Sequence, residues 1–382
     1  MTAKDSKRSE KRFFLAQRMT YSLLAIILFI YGLIIIRNFL YPIAFGFLLA
    51  YLIYPVAYWL EKKSFPRIIA NLITILGALV ILAGLLLFAY NRVLPLTGSL
   101  PQLAESGIDN LSRMIAGIGE YFGFDRSDTE NLIKDQTSSM LESGAEYFQA
   151  LFSATTSTIV AFGLLPVYIF LFLYYRTKFM YFLLKIAGRS YRLEVIAILR
   201  EISTIMVRYM AGVIVVVFIL FFINSFGLWL IGIKHPIALG VTAAIFNFIP
   251  YFGTLLGGLV PFLFAIIVEG NLGLAFRVVL LFIVIQFIEN NLLTPNIVGG
   301  NVKINPFFII TGLVAASMIW GIPGMLLIVP FLAVIRIIFS HIDFMRPYAF
   351  LLGEEGTRKH SITLSKIKGL FKKKGKTHNL SG

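Results

Sequence analysis

The sequence predicts an all-α polytopic membrane protein of about eight transmembrane helices, some kinked or re-entrant, with a small helical extracytoplasmic insert after the third span. Three observations predict it. Of the 382 residues, 58% are hydrophobic and only 14% are charged, against roughly 25% charged in soluble domains. Several runs approach or exceed the ~20 apolar residues that cross a bilayer core. The basic residues gather in alternate connections, as Lys and Arg do on the cytoplasmic side.

The elements follow in order. Residues 1–19 form a basic cytoplasmic N-terminus with six Lys or Arg against Asp5 and Glu10. The apolar run 20–36 is long and lacks a small-residue cleavage site, so it reads as a retained first span rather than a signal peptide. Spans at 39–60 and 68–90 flank the basic loop EKKSFPR and complete a three-span unit, 20–90. Residues 91–152 then carry nine acidic and four basic residues. Their apolar positions recur at helical spacing, which suits an acidic, helical extracytoplasmic insert. A fourth span at 153–175 leads to a stretch, 176–208, with seven basic and two acidic residues. A fifth span covers 209–231. The remaining apolar segments, 237–268, 273–293 and 306–339, read as three crossings that return the chain to the inside. Two of them are too long for straight spans. Residues 153–340 thus form a C-terminal transmembrane core, and 341–382 a basic cytoplasmic tail. Residues 356–382 hold eight Lys or Arg and no acid. The tail either lies along anionic inner-leaflet lipids or is a solvated segment. The expected location is the plasma (inner) membrane, multi-pass, with both termini cytoplasmic.

Composition also excludes. With no cysteine, disulfide and thiolate chemistry are absent. The histidines at 235, 341, 360 and 378 are scattered, so no metal site is expected, and nothing suggests a cofactor. No nucleophile elbow, zinc-protease motif or catalytic aspartate pair appears, so the chain does not read as an enzyme. No Walker sequence points to ATP. The net charge of +15 follows membrane topology and not nucleic acid.

The C-terminal core is interrupted where lipid-facing helix would be regular. IFNFIPYFGTLLGGLVP, residues 245–261, places Asn247, Pro250, Tyr251, Gly253, Thr254, Gly257, Gly258 and Pro261 in one apolar run. Irregular backbone at membrane depth survives only inside protein or beside a watery cavity. Broken helices of this kind line substrate paths in transporters, although Gly253 and Gly257 also make a GxxxG packing pair. Farther on, Gln286, Glu289 and Asn290 stand at i, i+3 and i+4 on one helix face, followed by Asn291. An intramembrane carboxylate is a functional candidate by default. Asn291, Pro295 and Gly299 loosely echo Asn247, Pro250 and Gly253. Gly321, Pro323, Gly324 and Pro330 break a third run in the same style.

These three blocks, HPIALGVTAAIFNFIPYFGTLLGGLVP, QFIENNLLTPNIVGGNVKINP and WGIPGMLLIVPFLAVIR, resemble the autoinducer-2 exporter (AI-2E) family of transporters. The match lies on Asn247, Ile249, Pro250, Gly253 and Pro261, then Gln286, Glu289, Pro295 and Gly299, then Gly321, Gly324 and Pro330. The resemblance implies a bacterial inner-membrane transporter, compatible with homo-oligomers. Members are associated with export of the quorum-sensing signal autoinducer-2, and others with sodium or lithium exchange for protons.

Three functions are therefore weighed. The first is secondary export of a small polar solute such as an autoinducer-2-like signal, with Asn247, Gln286, Asn290 and Asn291 offering amides and Tyr251 and Thr254 hydroxyls. The second is sodium or lithium/proton antiport, in which Glu289 alternates between proton and monovalent cation. The third is a membrane scaffold whose insert binds a partner.

Overall fold

A computed structural model describes residues 3–98, 110, 155–249, 253–298 and 303–354, with the backbone alone at 3–16, 93–98 and 155–162. The helices are α1 Ala3–Ile35, α2 Arg37–Lys62, α3 Arg67–Gly98, α4 Thr155–Ala187, α5 Arg192–Ile231, α6 Pro236–Phe246, α7 Gly253–Leu263, α8 Leu272–Ile288, α9 Pro306–Trp320, α10 Ile322–His341 and α11 Arg346–Leu352. The chain is thus an all-α polytopic membrane protein. Among the described residues, seven helices are long and apolar enough to cross a membrane.

The side chains from Gln17 to Tyr31 on α1 are exposed, and Trp320 ties this helix to the rest by donating to the Leu33 carbonyl at 3.0 Å. Ile36 alone separates α1 from α2. Helices α2 and α4 run parallel, since Gly46 lies against Tyr168 and Glu61 pairs with Arg176. Ala50, Ala57, Ile75, Ile169 and Leu173 fill the space between α2, α3 and α4. The 40 residues of α5 span about 60 Å, and Leu48, Ile202, Met206, Leu327 and Ile337 pack its first half against α2 and α10. Helix α4 continues to Ala187 and α5 begins at Arg192, so the basic stretch 176–208 is mostly helical.

The segment 237–268, read as a crossing that is tilted, kinked or re-entrant, doubles back. Helix α6 ends at Phe246 and α7 begins at Gly253, with π-helical turns over Phe264–Val268 closing the second arm. Gly253 lies against Asn247 and Gly257 against Ala243, the register of an antiparallel hairpin. Its two ends are tied together, because the Lys234 amide donates to the Glu269 carboxylate at 2.7 Å. An arm of 11 residues reaches only ~16 Å, too short to cross a ~30 Å core.

The segment 306–339 is likewise a hairpin. Gly321 adopts φ +66°, a conformation that favours glycine, and turns α9 into α10. Here too the ends are tied: the Asn305 amide donates to the Leu352 carbonyl at 2.8 Å. His341 lies beside Glu201 near the start of α5, and Gly240 lies against Ser225 toward its other end, so the two hairpins meet α5 from opposite ends. Most of the acidic insert lies outside the described residues, as does the tail beyond 354. From the insert, Asn110 donates to the Ile267 and Val268 carbonyls at 3.1 and 3.2 Å, docking on the far end of the α6–α7 hairpin.

Candidate functional site

The site grows from the turn of the α6–α7 hairpin. His235, with φ +57°, turns the chain from α5 into α6, and Pro236 suits the first helical position because its missing N–H has no helical partner there. Asn247 caps the other end of α6. Glycine is required at 253, where a Cβ would stand 2.4 Å from the Asn247 Cα. This close approach brings Thr254, only 3% exposed, under the Asn247 side chain. The Thr254 hydroxyl lies 2.9 Å from Asn247 Oδ1 and within hydrogen-bonding reach of Glu289 Oε2. Glu289 begins the wide π-helical turns Glu289–Val298 that continue α8. Those turns accommodate Pro295, which lacks the donor a regular helix would use.

One hydroxyl proton faces two acceptors, and this decides what the site can do. A hydroxyl has one donor and two lone pairs. It can donate to Asn247 Oδ1 and accept a hydrogen bond from a neutral Glu289 carboxyl. Alternatively it donates to ionised Glu289 and receives from the Asn247 amide, turned about its last bond. Asn247 Nδ2 is buried without another partner, so nothing else holds that amide in one orientation. Both arrangements pair the Thr254 hydroxyl with Asn247 and with Glu289, and they differ by one proton on Glu289.

The structure does not gather every predicted residue here. Gln286 is half-buried, one turn before Glu289, while Asn290 and Asn291 are exposed. Asn291 donates to the Phe287 carbonyl of its own helix at 2.8 Å. The π-helical turns rotate these amides off the face a regular helix would give them. Gly257, Gly258 and Pro261 are buried in α7, with Gly258 against the Phe282 ring of α8. Pro295 is exposed in the π-helical stretch, so the echo of Asn247 and Pro250 in Asn291 and Pro295 is not a second hairpin. The true counterpart of the first turn is Gly321. Pro323 follows it in the first turn of α10, Gly324 lies against the Ala316 carbonyl, and Pro330 is buried within α10. Pro250, Tyr251 and Gly299 lie outside the described residues.

Sequence reading missed Asn224 and Ser225. Asn224 is fully buried on α5, and among the described residues neither of its amide atoms has a hydrogen-bond partner, nor does the Ser225 hydroxyl. Asn71 on α3 is buried in the same way. A lone amide inside a long apolar run was their one signal, and it lacked the glycines and prolines that drew notice to 245–261.

A family model described as "AI-2E family transporter" matches residues 23–343. Among relatives, "Putative transport protein YrrI" of Bacillus subtilis is 26% identical over 320 residues, 82% of this chain and 89% of that protein. "Putative transport protein YueF" of the same organism is 25% identical over 323 residues, covering 81% and 86% of the two chains. "Putative transport protein MT0215" of Mycobacterium tuberculosis is 25% identical over 310 residues, covering 76% and 80%.

Proposed function

We propose a function from one premise: the chain belongs to the AI-2E family of transporters. It is a proton-coupled secondary transporter that moves a small polar solute outward past the turn of the α6–α7 hairpin. An autoinducer-2-like, polyhydroxylated solute is the cargo that the family name suggests. The observation that carries this reading is the Thr254 hydroxyl held between Asn247 and Glu289. Protonation of Glu289 turns that hydroxyl toward Asn247, and deprotonation turns it back. The amide that a solute would meet therefore presents its donor or its acceptor according to the proton. Hairpins entering from opposite ends of a bundle suit alternating access around a fixed site. In this reading both termini face the cytoplasm of a cell with an inner membrane, and copies of the chain associate through their small-residue faces.

Sodium or lithium exchange for protons is the second reading, and the ligand set favours it. Thr254 Oγ1, Asn247 Oδ1 and the Glu289 carboxylate offer only oxygens at one point, the donors that hard cations choose. Proteoliposomes with a trapped pH dye separate the two. A pH change on a sodium or lithium pulse, abolished by Glu289→Gln, supports antiport. A pH change driven by the polyhydroxylated solute and not by cations supports proton-coupled export. Folded protein that gives neither response, or whose response survives Glu289→Gln, overturns the role given to Glu289.

A further inference from the structure

A cavity of about 560 Å³ lies away from the α6–α7 hairpin, beside the first half of α5. Its α5 wall carries Ala197, Arg200, Glu201, Thr204, Ile205 and Arg208, which recur at the three- and four-residue spacing of one helix face. The rest of its lining is Lys303, just before α9, and Arg336 of α10. Backbone contacts fix these two residues. Ile304, 1% exposed, pairs with Gly353 in an isolated antiparallel bridge, and the Asn305 amide bonds the Leu352 carbonyl, so Lys303 is held where α9 begins. A Cβ on Gly353 would stand 3.1 Å from Arg336 Nε, so the bare backbone after α11 leaves room for the guanidinium.

Charge in this cavity is unbalanced. Its lining holds four cations and one carboxylate, Glu201, which lies 3.7 Å from His341 Nε2. Glu354 follows Gly353, and counting it still leaves the cations in excess. Arg208, Arg336 and Glu354 are each engaged within the chain. Among the described residues, the side chains of Arg200 and Lys303 have no hydrogen-bond or ion-pair partner, and both are exposed. Cations gathered in this way repel one another, and an anion placed among them relieves the repulsion.

The cavity also stands at the polar boundary of the bundle. The apolar part of α5 begins directly after Arg208. Helix α11 exposes Tyr348, Phe350 and Leu351, and aromatic side chains are enriched at head-group level. Four residues beyond Lys303, the exposed Phe307, Ile310 and Val314 stand at i, i+3 and i+7 and give α9 an apolar outer stripe.

We propose that this cavity binds the phosphate of an anionic phospholipid. Arg200 presents a planar fork to the phosphate oxygens and Lys303 a point charge. Arg208 and Arg336 add positive field, and an acyl chain follows Phe307, Ile310 and Val314. The head group carries no cation of its own, because a choline nitrogen would add to the excess already present. Basic pockets between membrane helices suit anionic head groups. A free phosphate offers the same oxygens, so the acyl chain is what separates the two ligands.

The full chain, purified in detergent, is equilibrated with equal amounts of phosphatidylglycerol and phosphatidylcholine, and retained lipid is counted by native mass spectrometry. Phosphatidylglycerol is expected to exceed phosphatidylcholine by about tenfold, the size of one charge-assisted interaction. Arg200→Gln combined with Lys303→Gln should bring the two lipids level. Lys185→Gln combined with Arg189→Gln removes the same charge from the end of α4 and the turn after it, outside the cavity, and should leave the preference intact. Thr204→Trp fills the cavity with every charge in place and should release phosphatidylglycerol. All five positions are exposed, so no variant removes a core contact. Equal retention of the two lipids by the unmodified chain overturns the proposal, as does wild-type retention by Thr204→Trp. An equal loss in the two double variants also overturns it, because the preference would then follow net charge and not the cavity. If inorganic phosphate displaces the lipid at equal concentration, the acyl-chain half of the proposal is overturned and the ligand is a soluble phosphate. No transport is measured, so the result stands apart from the role of Glu289.

Discussion

Thr254→Val removes one oxygen and keeps the shape of the side chain, so it isolates the hydroxyl at the centre of the site. Thr254 is 3% exposed, and among the described residues its hydroxyl is the side-chain partner of both Asn247 Oδ1 and Glu289 Oε2. A buried acceptor left without its donor costs roughly 1–3 kcal/mol. Because the hydroxyl has one proton to give, the expected loss is about 2 kcal/mol, and not twice the value for a single acceptor. Glu289→Gln should interact with this change, since its amide can donate to Asn247 Oδ1 only when rearranged. The double variant should depart from additivity by about 1 kcal/mol, beyond the ~0.5 kcal/mol seen for independent sites. Reversible unfolding in mixed micelles of increasing SDS fraction measures all four corners of the cycle. Additive losses within that margin would show that Thr254 and Glu289 do not share a hydrogen bond, and the proton-dependent switch would fall with it.

Three further outcomes follow from the same geometry. Gly253→Ala puts a carbon 2.4 Å from the Asn247 Cα; overpacking of this kind costs about 1–3 kcal/mol, so stability and transport should fall together, and wild-type transport would mean that the hairpin turn is not held closed. Asn291→Ala removes an exposed amide bonded only to its own helix, so transport within about twofold of wild type and a stability change within ~0.5 kcal/mol are expected; a large loss would return this residue to the path. Asn224→Leu replaces an amide that is fully buried and, among the described residues, unpartnered, and should raise the free energy of unfolding by about 1 kcal/mol; a loss of that size would reveal a partner for the amide.

Much of the architecture was legible because hydropathy is a local property. The long runs in α2, α3, α5 and α8 announce helices wherever they later sit, and the breaks at Asn247 and Gly321 are visible as residues that no straight span would choose. The identity of Glu289 as a candidate was also legible, since a lone carboxylate in an apolar run has few bland explanations. Its neighbours were not. Equal spacing suggested that Asn290 shares its face, yet the π-helical turns that begin at Glu289 change the angle per residue, and Asn290 and Asn291 turn outward. Asn224 escaped notice because nothing in its own neighbourhood distinguishes a buried amide from one that faces its helix backbone.

By itself, then, the sequence determined that this chain is helical, lies in a membrane and is interrupted at particular points, because apolar length, charge and backbone permissiveness act within a few residues. Only the tertiary structure decided that 236–268 returns to the face it left, because the tie between Lys234 and Glu269 is made across 35 positions. It alone decided that Thr254 meets Glu289, also 35 positions apart. That meeting depends on two glycines letting the hairpin arms close and on Gly258 letting α8 approach, and such contacts between distant residues leave no periodic trace in the order of the amino acids.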